Sequence, residues 1–439
     1  MIITERFAII IALAALMIGF SARAQLLLPI GVLTIAIVIL LLIYDIIWLK
    51  NLPRPEIYRN CDDKLSLGAE NPVHLIIKNV AGFPLNCKIR DEYPINVSAK
   101  QYEFSVIIPE RSEVEHIYHI NPSNRGDYKF GNTYMRIEGK FEFARIQIKY
   151  NTANKVKVYP NLLDMRKYEI GLRKMEASAG LKISRIRGKG TEFDSLREYI
   201  PDDDFRNIDW NASARKGKLI SRIYQQERSQ NIVLILDCGR VMGPIVNGLT
   251  RLDHSINSAM MIGYVASLNG DRVGLLAFGE EIQSFSAPKA GKQQLTNLLR
   301  RSYNLKDAQG DSNYSKALAY LDKRWKRRSL VIVFTELSDS ISSAPLITQL
   351  ASIAKKHLCI CVCISNVEVL NAVSIPAGKS VIEIDEVYQS AAARDMLSSR
   401  EKAIAALRGS GVIVIDTPPD KLTPSVVQKY LEIKSIGTL

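Results

Sequence analysis

The chain has 439 residues, of which 47% are hydrophobic and 23% are charged, and its formal net charge is +13. This length leaves room for two or three domains, and the composition beyond the first residues is typical of globular proteins. The basic residues are dispersed and no recognised nucleic-acid-binding module occurs. We therefore expect an anionic membrane surface, and no nucleic acid, among the partners.

Two apolar runs open the chain, at Phe7–Phe20 and Leu26–Leu49, and Asp45 is the acidic residue within the second. The second run is long enough to cross the ~30 Å core of a bilayer. The first run spans only ~21 Å as a helix and needs its flanking charged residues to reach both surfaces. We therefore predict two transmembrane helices within residues 1–50. A cleaved signal peptide is the alternative for the first run, because the A-x-A pattern at 22–24 is typical of a cleavage site.

Charges beside these runs predict how the chain is oriented. Lys50, Arg54 and Arg59 follow the second run, whereas Arg23 is the lone basic residue between the two runs. The positive-inside rule then predicts a protein of the inner (cytoplasmic) membrane whose soluble domains face the cytoplasm. The six cysteines include no C-x-x-C pair and fit reduced thiols. Both observations oppose a third interpretation, a metal-dependent adhesin on the outer surface.

Residues 51–160 carry short runs of β-forming residues separated by turns, which predicts an antiparallel β-sandwich of roughly 100 residues. No catalytic constellation is visible in it. Residues 161–190 then form a basic linker with helical character, either a solvated segment or a patch that meets anionic lipid or an acidic partner.

Strands and helices alternate within the last predicted domain, residues 191–439. Continuous apolar runs predict strands buried on both faces of a mostly parallel sheet, with helices wound on both sides. In such sheets the functional edge lies at the carboxyl ends of the strands, where we expect Asp237, Ser312 and Glu336 to converge. Their oxygens suit a hard cation such as Mg²⁺. The alternative is a capping Asp237, an N-cap Ser312 and a solvated Glu336.

The order of these parts resembles a von Willebrand factor A-like domain. The segment T-E-F-D-S-L-R-E-Y-I-P-D-D-D-F-R-N-I-D-W-N-A-S-A-R, residues 191–215, is similar to the signature of the domain-of-unknown-function family numbered fifty-eight. Later pieces agree, among them L-D-C-G-R-V-M, G-D-R-V-G-L-L-A-F-G, D-S-N-Y-S-K-A-L and V-I-V-F-T-E-L-S-D. The leading membrane spans and the β domain also resemble that family, so the resemblance covers nearly the whole chain. It implies a membrane-anchored, doubly wound A-like domain.

The A-type metal motif is incomplete in this chain. Metal-binding A-type domains carry D-x-S-x-S after the first strand, but here Asp237 is followed by Cys238, Gly239, Arg240 and Val241. The resemblance matches Ser312 to the later threonine position and Glu336 to the later aspartate. Arg240 brings a positive charge that we expect to pair with Asp237 or Glu336. We therefore expect a degenerate, empty metal site and no cofactor, with Mg²⁺ as the ion to test.

The charged residues of the signature have two interpretations, a structural clamp that ties the linker to the domain or a partner-docking surface. The residues concerned are Arg197, Arg206, Asp209, Trp210 and Arg215, with Arg240 beyond them. An enzyme interpretation would make Asp209 or Glu198 a general base. The stretch has no cysteine or histidine with which to build a nucleophilic site.

The resemblance implies a protein that works beside MoxR-type AAA+ ATPases in chaperone-like maturation of protein complexes. Our leading hypothesis is a membrane-anchored adaptor or scaffold that is not an enzyme, with the β domain as a spacer from the membrane. The alternative is a metal-dependent hydrolase that uses Asp237 and Glu336. The client, the particular ATPase and the oligomeric state are not assigned.

Overall fold

A computed structural model describes residues 1–22, 27–95, 97–161, 192–201, 203–225, 229–337, 343–365, 369–370, 373 and 384–436. The chain divides into two compact units, Met1–Tyr159 and Pro160–Leu439. The predicted basic linker at 161–190 lies, apart from Asn161, outside the described residues.

Two helices pack together at the start of the first unit, α1 (Glu5–Gly19) and α2 (Leu27–Lys50). They approach closely at Gly31, where an added Cβ would lie 3.2 Å from the carbonyl oxygen of Ala14. Within the described parts of the chain, α2 alone is long and apolar enough to cross a membrane. Because α1 has 15 residues, it extends only ~22 Å. The finding is thus one candidate span and not the two that the sequence predicts.

The rest of the first unit is rich in β-strands, as the sequence predicts. The strands are β1 (Ile2–Ile3), β2 (Glu56–Cys61), β3 (Lys64–Ser66), β4 (Asn71–Lys78), β5 (Leu85–Asp91), β6 (Val97–Lys100), β7 (Glu103–Ile108), β8 (Glu113–Pro122), β9 (Gly126–Lys129), β10 (Thr133–Glu138), β11 (Ala144–Tyr150) and β12 (Lys155–Tyr159). They form sheets with the orders β1-β11-β10-β5-β7, β2-β4-β8-β6 and β3-β12-β9. Burial alternates along β4, β5 and β10, so each of these strands turns one face to the core.

A buried ion pair lies inside this β domain. Arg59 donates its Nε to Asp91 Oδ2 over 2.9 Å, and both side chains are almost wholly buried. Asp91 also accepts hydrogen bonds from Tyr118 (2.6 Å) and Thr133 (2.7 Å). The guanidinium lies over the ring of Phe130. The positive-inside argument counts Arg59 among the charges that flank the membrane. Its side chain instead belongs to the core of the β domain.

The second unit begins, within the described residues, with a hairpin of β13 (Glu192–Glu198) and β14 (Ile220–Gln225), joined through α3 (Trp210–Lys216). We call residues 192–225 the signature module. The strands pair in antiparallel register from Glu192↔Gln225 to Glu198↔Ile220.

An α/β body follows. Its elements are β15 (Asn231–Asp237), β16 (Ile245–Val246), β17 (Leu249–Thr250), α4 (Arg251–Leu268), β18 (Arg272–Phe278), β19 (Ile282–Lys289), α5 (Lys292–Tyr303), α6 (Tyr314–Arg324), β20 (Leu330–Phe334), α7 (Ala344–Ala354), β21 (Leu358–Ile364), α8 (Ile384–Gly409), β22 (Ile413–Thr417) and α9 (Pro419–Ile436). The main sheet has the order β19-β18-β15-β20-β21-β22. Its pairs are parallel except β18 with the edge strand β19.

Helices cover both faces of this sheet. Successive residues of β15, such as Leu234 and Ile235, belong to separate hydrophobic cores on the two faces. One core is closed by α4, α5 and α9, and the other by α6, α7 and α8. The prediction of a doubly wound α/β region is confirmed. The carboxyl ends of β15, β20, β21 and β22 therefore meet at one edge.

Candidate functional site

Asp237 ends β15 with its carboxylate completely buried. Oδ1 accepts hydrogen bonds from the Ser312 hydroxyl and, over 2.9 Å, from the Gly239 amide. Oδ2 accepts from the hydroxyls of Tyr314 (2.8 Å) and Thr335 (2.6 Å). A carboxylate offers about four acceptor positions. Donors from the described part of the chain therefore occupy the whole carboxylate.

The partners of Asp237 remain donors at any ordinary pH. Burial, and then the negative charge of Asp237, raise the pKa of Tyr314 far above its usual value. The phenol thus stays protonated, and its ring packs edge-on against Phe278 with 5.6 Å between centroids. The sequence prediction of this site does not include Tyr314. Its position could have indicated it, since this tyrosine follows the predicted ligand Ser312 by two residues.

The residue after Cys238 shows why a D-x-S-x-S motif does not fit this arrangement. A Cβ built on Gly239 would overlap the hydroxyl oxygen of Ser312 and lie 3.2 Å from Asp237 Oδ1. A serine at position 239 would therefore displace Ser312 from the carboxylate. The described residues contain no group of three or more His, Cys, Asp or Glu side chains arranged to hold a metal ion.

Arg240 lies at the same edge but pairs elsewhere. Its Nη2 lies 3.1 Å from Asp311 Oδ1, and the two side chains are 69% and 81% exposed. The expectation that Arg240 pairs with Asp237 or Glu336 is therefore wrong. An exposed pair of this kind contributes little to stability.

Glu336 joins a different cluster from Asp237. The adjacent Thr335 turns towards Asp237, whereas Glu336 forms a buried ion pair with Arg400 and lies 3.8 Å from Arg251 Nε. The prediction that Asp237, Ser312 and Glu336 converge is thus correct for Ser312 and wrong for Glu336. Neighbouring residues at the end of an extended strand point to opposite sides, which explains the separation.

Arg400, which the sequence reasoning missed, organises this second cluster from α8. It donates to Asp416 Oδ1 over 2.9 Å and to the carbonyls of Leu337 (2.6 Å) and Ile364 (3.3 Å). Burial opposes its charge, but the hydrogen bond to Asp416 and the charge of Glu336 outweigh burial and raise the pKa of Arg400.

A pocket of about 260 Å³ adjoins these side chains. Two arginines and three carboxylates line it, so its formal charge is one unit negative.

Asp209 organises the signature module. It caps α3 by accepting from the amides of Asn211 (3.1 Å) and Ala212 (3.0 Å), and its Oδ2 accepts from Arg222 Nε over 2.9 Å. The hydrogen bond from Arg222, followed by that from the Ala212 amide, lowers the pKa of Asp209. Asp209 thus holds the helix against β14 and has the geometry of a structural residue.

The other charged residues of the module form local pairs. Arg197 donates to Asp203 over 2.5 Å, and Arg206 lies 3.2 Å from Asp204. Arg215 is exposed in the last turn of α3. These contacts join parts of the module to one another. Asp202, which precedes the two aspartates of these pairs, lies outside the described residues. A clamp to the basic linker therefore stays a prediction.

Two aromatic side chains on the module face solvent. Phe205 is 66% exposed and Trp210 is 59% exposed, and their rings meet edge-on with 5.8 Å between centroids. Exposed aromatic pairs are common at protein-binding surfaces, where tryptophan is enriched among the residues that dominate affinity. We call Phe205, Trp210 and the neighbouring Arg215 and Lys216 the aromatic patch.

The module and much of the α/β body coincide with a known family model. Residues 195–372 match the family described as protein of unknown function DUF58. This DUF58 region contains the Asp237 cluster and the aromatic patch. Arg400, which pairs with Glu336, and Asp416, the second carboxylate that Arg400 binds, lie beyond its end.

Two relatives of the chain are described as uncharacterized proteins. YeaD of Bacillus subtilis is 29% identical over 108 residues, which cover 24% of this chain and 24% of that protein. Rv1480 of Mycobacterium tuberculosis is 22% identical over 276 residues, which cover 59% of this chain and 84% of that protein. The chain thus spans about a quarter of the first relative's length and most of the second's.

Solved structures give only remote similarity. Proximal thread matrix protein 1 from the mussel byssus has a TM-score of 0.29 at 10% identity, covering 47% of this chain and 46% of that chain. Native alpha-2-macroglobulin from Escherichia coli has a TM-score of 0.22 at 11% identity, covering 25% of this chain and 17% of that chain. Scores this low carry no argument about fold or function.

Proposed function

We propose that this chain is a membrane-anchored scaffold that binds other proteins and is not an enzyme. The saturated carboxylate of Asp237 carries the proposal, because its four acceptor positions are taken by Ser312, Gly239, Tyr314 and Thr335. A cation would have to break these hydrogen bonds and find further ligands, yet Mg²⁺ dehydrates reluctantly and demands near-ideal geometry. The proposal therefore includes an A-type metal position that holds no metal.

The topology supports assigning the α/β body to the von Willebrand A-like domains. A parallel sheet with one antiparallel edge strand and helices on both faces is the architecture that the sequence resemblance implies. In this proposal the domain keeps the strand-end aspartate of the A-type motif and uses it for internal hydrogen bonding.

We propose that the partner is a MoxR-type AAA+ ATPase, the class that the family resemblance implies, in chaperone-like maturation of protein complexes. The aromatic patch is the docking surface that we favour. Its exposed rings supply apolar contact, and Arg215 and Lys216 supply positive charge at the carboxyl end of α3. An ATPase surface with an apolar depression and acidic residues would complement it.

The location that we propose is the cytoplasmic membrane, with α1 and α2 as an inserted hairpin and the domains in the cytoplasm. The length and apolarity of α2 support the anchor. The close approach at Gly31 is typical of helices that pack within a bilayer. Lys50 and Arg54 are exposed beside the end of α2, as expected for a cytoplasmic flank.

Pull-down of the tagged full-length protein from native membranes tests the partner. Trp210→Ala should lose an AAA+ ATPase that the unchanged protein retains. Tyr388→Ala is the matched control, because it removes an aromatic side chain that is 72% exposed on α8. An ATPase captured equally by both variants would contradict docking at the aromatic patch.

Titration with Mg²⁺ and Mn²⁺ tests the scaffold proposal against the metal-dependent hydrolase. We expect no heat of binding at micromolar concentrations and no substrate turnover by the purified chain. A micromolar site that Asp237→Ala abolishes would overturn the proposal.

A further inference from the structure

Asp45 lies near the end of α2 and is fully buried, although the helix around it is apolar. Its Oδ1 accepts a hydrogen bond from the Phe141 amide over 3.1 Å, and its Oδ2 accepts one from the Phe143 amide over 3.0 Å. These amides belong to residues 139–143, the loop between β10 and β11. An added Cβ on Gly139 would lie only 2.5 Å from the carboxyl carbon of Asp45. The loop backbone is therefore in direct contact with the Asp45 side chain.

Aromatic contacts surround this attachment. Tyr44 of α2 meets Phe141 with 5.7 Å between ring centroids, and Phe7 of α1 meets Phe143 with 6.1 Å. Aromatic side chains at the end of a membrane helix commonly lie at headgroup level. The loop 139–143 shares that level with Tyr44, because the two are in contact.

Backbone pairing fixes the loop from its other side. Thr4 donates its amide to the Phe143 carbonyl over 3.0 Å and its hydroxyl to the Glu142 carbonyl over 2.5 Å. β1 then pairs with Ala144 and Arg145 at the start of β11. The loop is therefore bound both to the residues that precede α1 and to the last turns of α2.

We propose that the loop 139–143 is a lipid-contacting wedge, which Asp45 holds against α2 so that Phe141 enters the interfacial layer of the bilayer. The inference rests on the proposed membrane anchor. Phe141 is 44% exposed and its neighbour Lys140 is also exposed, which places an apolar ring and a cation side by side. That combination fits the boundary between acyl chains and anionic headgroups. The β domain then lies on the membrane surface and does not act as a spacer.

The wedge also gives Asp45 a role that the sequence did not suggest. A carboxylate within a spanning helix is costly when it faces lipid. Here the two loop amides replace water as its hydrogen-bond donors, and the loop covers it. In turn, the carboxylate accepts hydrogen bonds from the amides of Phe141 and Phe143.

A fluorescent label with a depth-dependent quencher tests the wedge. Phe141→Cys carries an NBD label in a Cys61→Ser background, since the remaining native cysteines are buried. The full-length protein is placed in phosphatidylcholine and phosphatidylglycerol vesicles, with and without lipid carrying a doxyl group near the headgroup. Ile95→Cys is the matched control, because Ile95 is 86% exposed and follows β5 at the end opposite the membrane helices.

The label at position 141 should show blue-shifted emission and lose fluorescence to the doxyl lipid, and the label at 95 should do neither. Adding Asp45→Ala should reduce the quenching at 141, because the loop amides lose their acceptor. Equal responses at 141 and 95, or quenching unchanged by Asp45→Ala, would overturn the inference. Extraction of the protein by alkaline carbonate would contradict the membrane anchor itself, whereas retention without quenching at 141 would contradict only the wedge.

Discussion

Tyr314 donates its hydroxyl to Oδ2 of Asp237 over 2.8 Å, so a tyrosine reaches the carboxylate that would otherwise face the strand-end crevice. The same hydroxyl lies 3.0 Å from the Thr335 hydroxyl, which also donates to Oδ2. Together they close one side of Asp237, and Ser312 closes the other. This small hydroxyl network occupies the position that the sequence identifies as a potential cation site.

Removing one donor from this network should destabilise the α/β body. Tyr314→Phe leaves Oδ2 with Thr335 as its hydroxyl donor in a buried site. We expect a loss of about 1.5–3 kcal/mol, the usual contribution of a hydrogen bond to a charged group. Native-state hydrogen exchange of the β15 amides measures it. Tyr320→Phe on the same helix is the control, since the Tyr320 ring packs against Phe285, and this variant should stay close to the unchanged protein. Equal losses in the two variants would count against a structural role for Asp237.

Arg400→Met should destabilise the same body in a pH-dependent way. It removes the cation that Glu336 and Asp416 share and leaves only the more distant Arg251 beside Glu336. Breaking a buried ion pair in this way typically costs about 3–5 kcal/mol. Burial already raises the pKa of Glu336, and Arg400 is the largest opposing influence. The variant should therefore raise that pKa further above its unfolded value.

A carboxyl group with a raised folded pKa contributes less to stability as the pH rises above its unfolded pKa. The loss caused by Arg400→Met should thus be larger at pH 8 than at pH 5, where Glu336 can take up a proton. Unfolding in urea at the two pH values, compared with the exposed control Arg408→Met on the same helix, measures the difference. A pH-independent loss would contradict a buried charge as the cause.

In the β domain, Asp91→Ala should cost about 3–5 kcal/mol because it leaves the Arg59 guanidinium buried without its counter-ion. The effect should appear in hydrogen exchange of β5 and β10. The control is Lys88→Ala, which breaks a partly exposed pair with Glu103 in the same sheet and should have little effect. A small effect of Asp91→Ala would mean that water reaches Arg59.

Asp209 provides a test of the signature module. Because its folded pKa is lowered, it stabilises α3 above its unfolded pKa of about 3.9, and that contribution is lost as the pH falls through the folded pKa. Protection of the Asn211 and Ala212 amides from exchange should fall in acid and in Asp209→Ala. Asp209→Asn retains a capping side chain and should preserve more protection than Asp209→Ala. Identical behaviour of the two variants would show that capping does not hold the helix.

The sequence predicts the α/β body well because its strands are continuous apolar runs and its helices have a clear period. It misses β19, whose sequence I-Q-S-F-S-A-P-K has no continuous buried run and contains Pro288. These are the features of an edge strand, where pattern and propensity are weak. The last helix, α9, begins at Pro419 and includes Pro424 in its interior, although proline is more typical of a helix start.

Side-chain direction explains what the sequence does and does not reveal about the site. Topology alone brings Ser312 to Asp237, since both lie at the carboxyl edge of the sheet. Whether Thr335 or Glu336 faces that carboxylate depends on where β20 ends, and a shift of one residue reverses the answer. Arg400 was unpredictable for another reason. Its partners Glu336 and Asp416 are brought together only by the winding of α8 against the sheet.

The pairing of β1 with β11 sets an order on biosynthesis. Ile2 and Ile3 are synthesised well before their partners Arg145 and Ala144, which follow nearly all of the β domain. The pair of β1 with β11 can therefore form only after β11 has been synthesised. Local strand pairs such as β10 with β11 can form before it. Closure of this edge is therefore a late step in folding, which joins completion of the β domain to the packing of the helices that precede it.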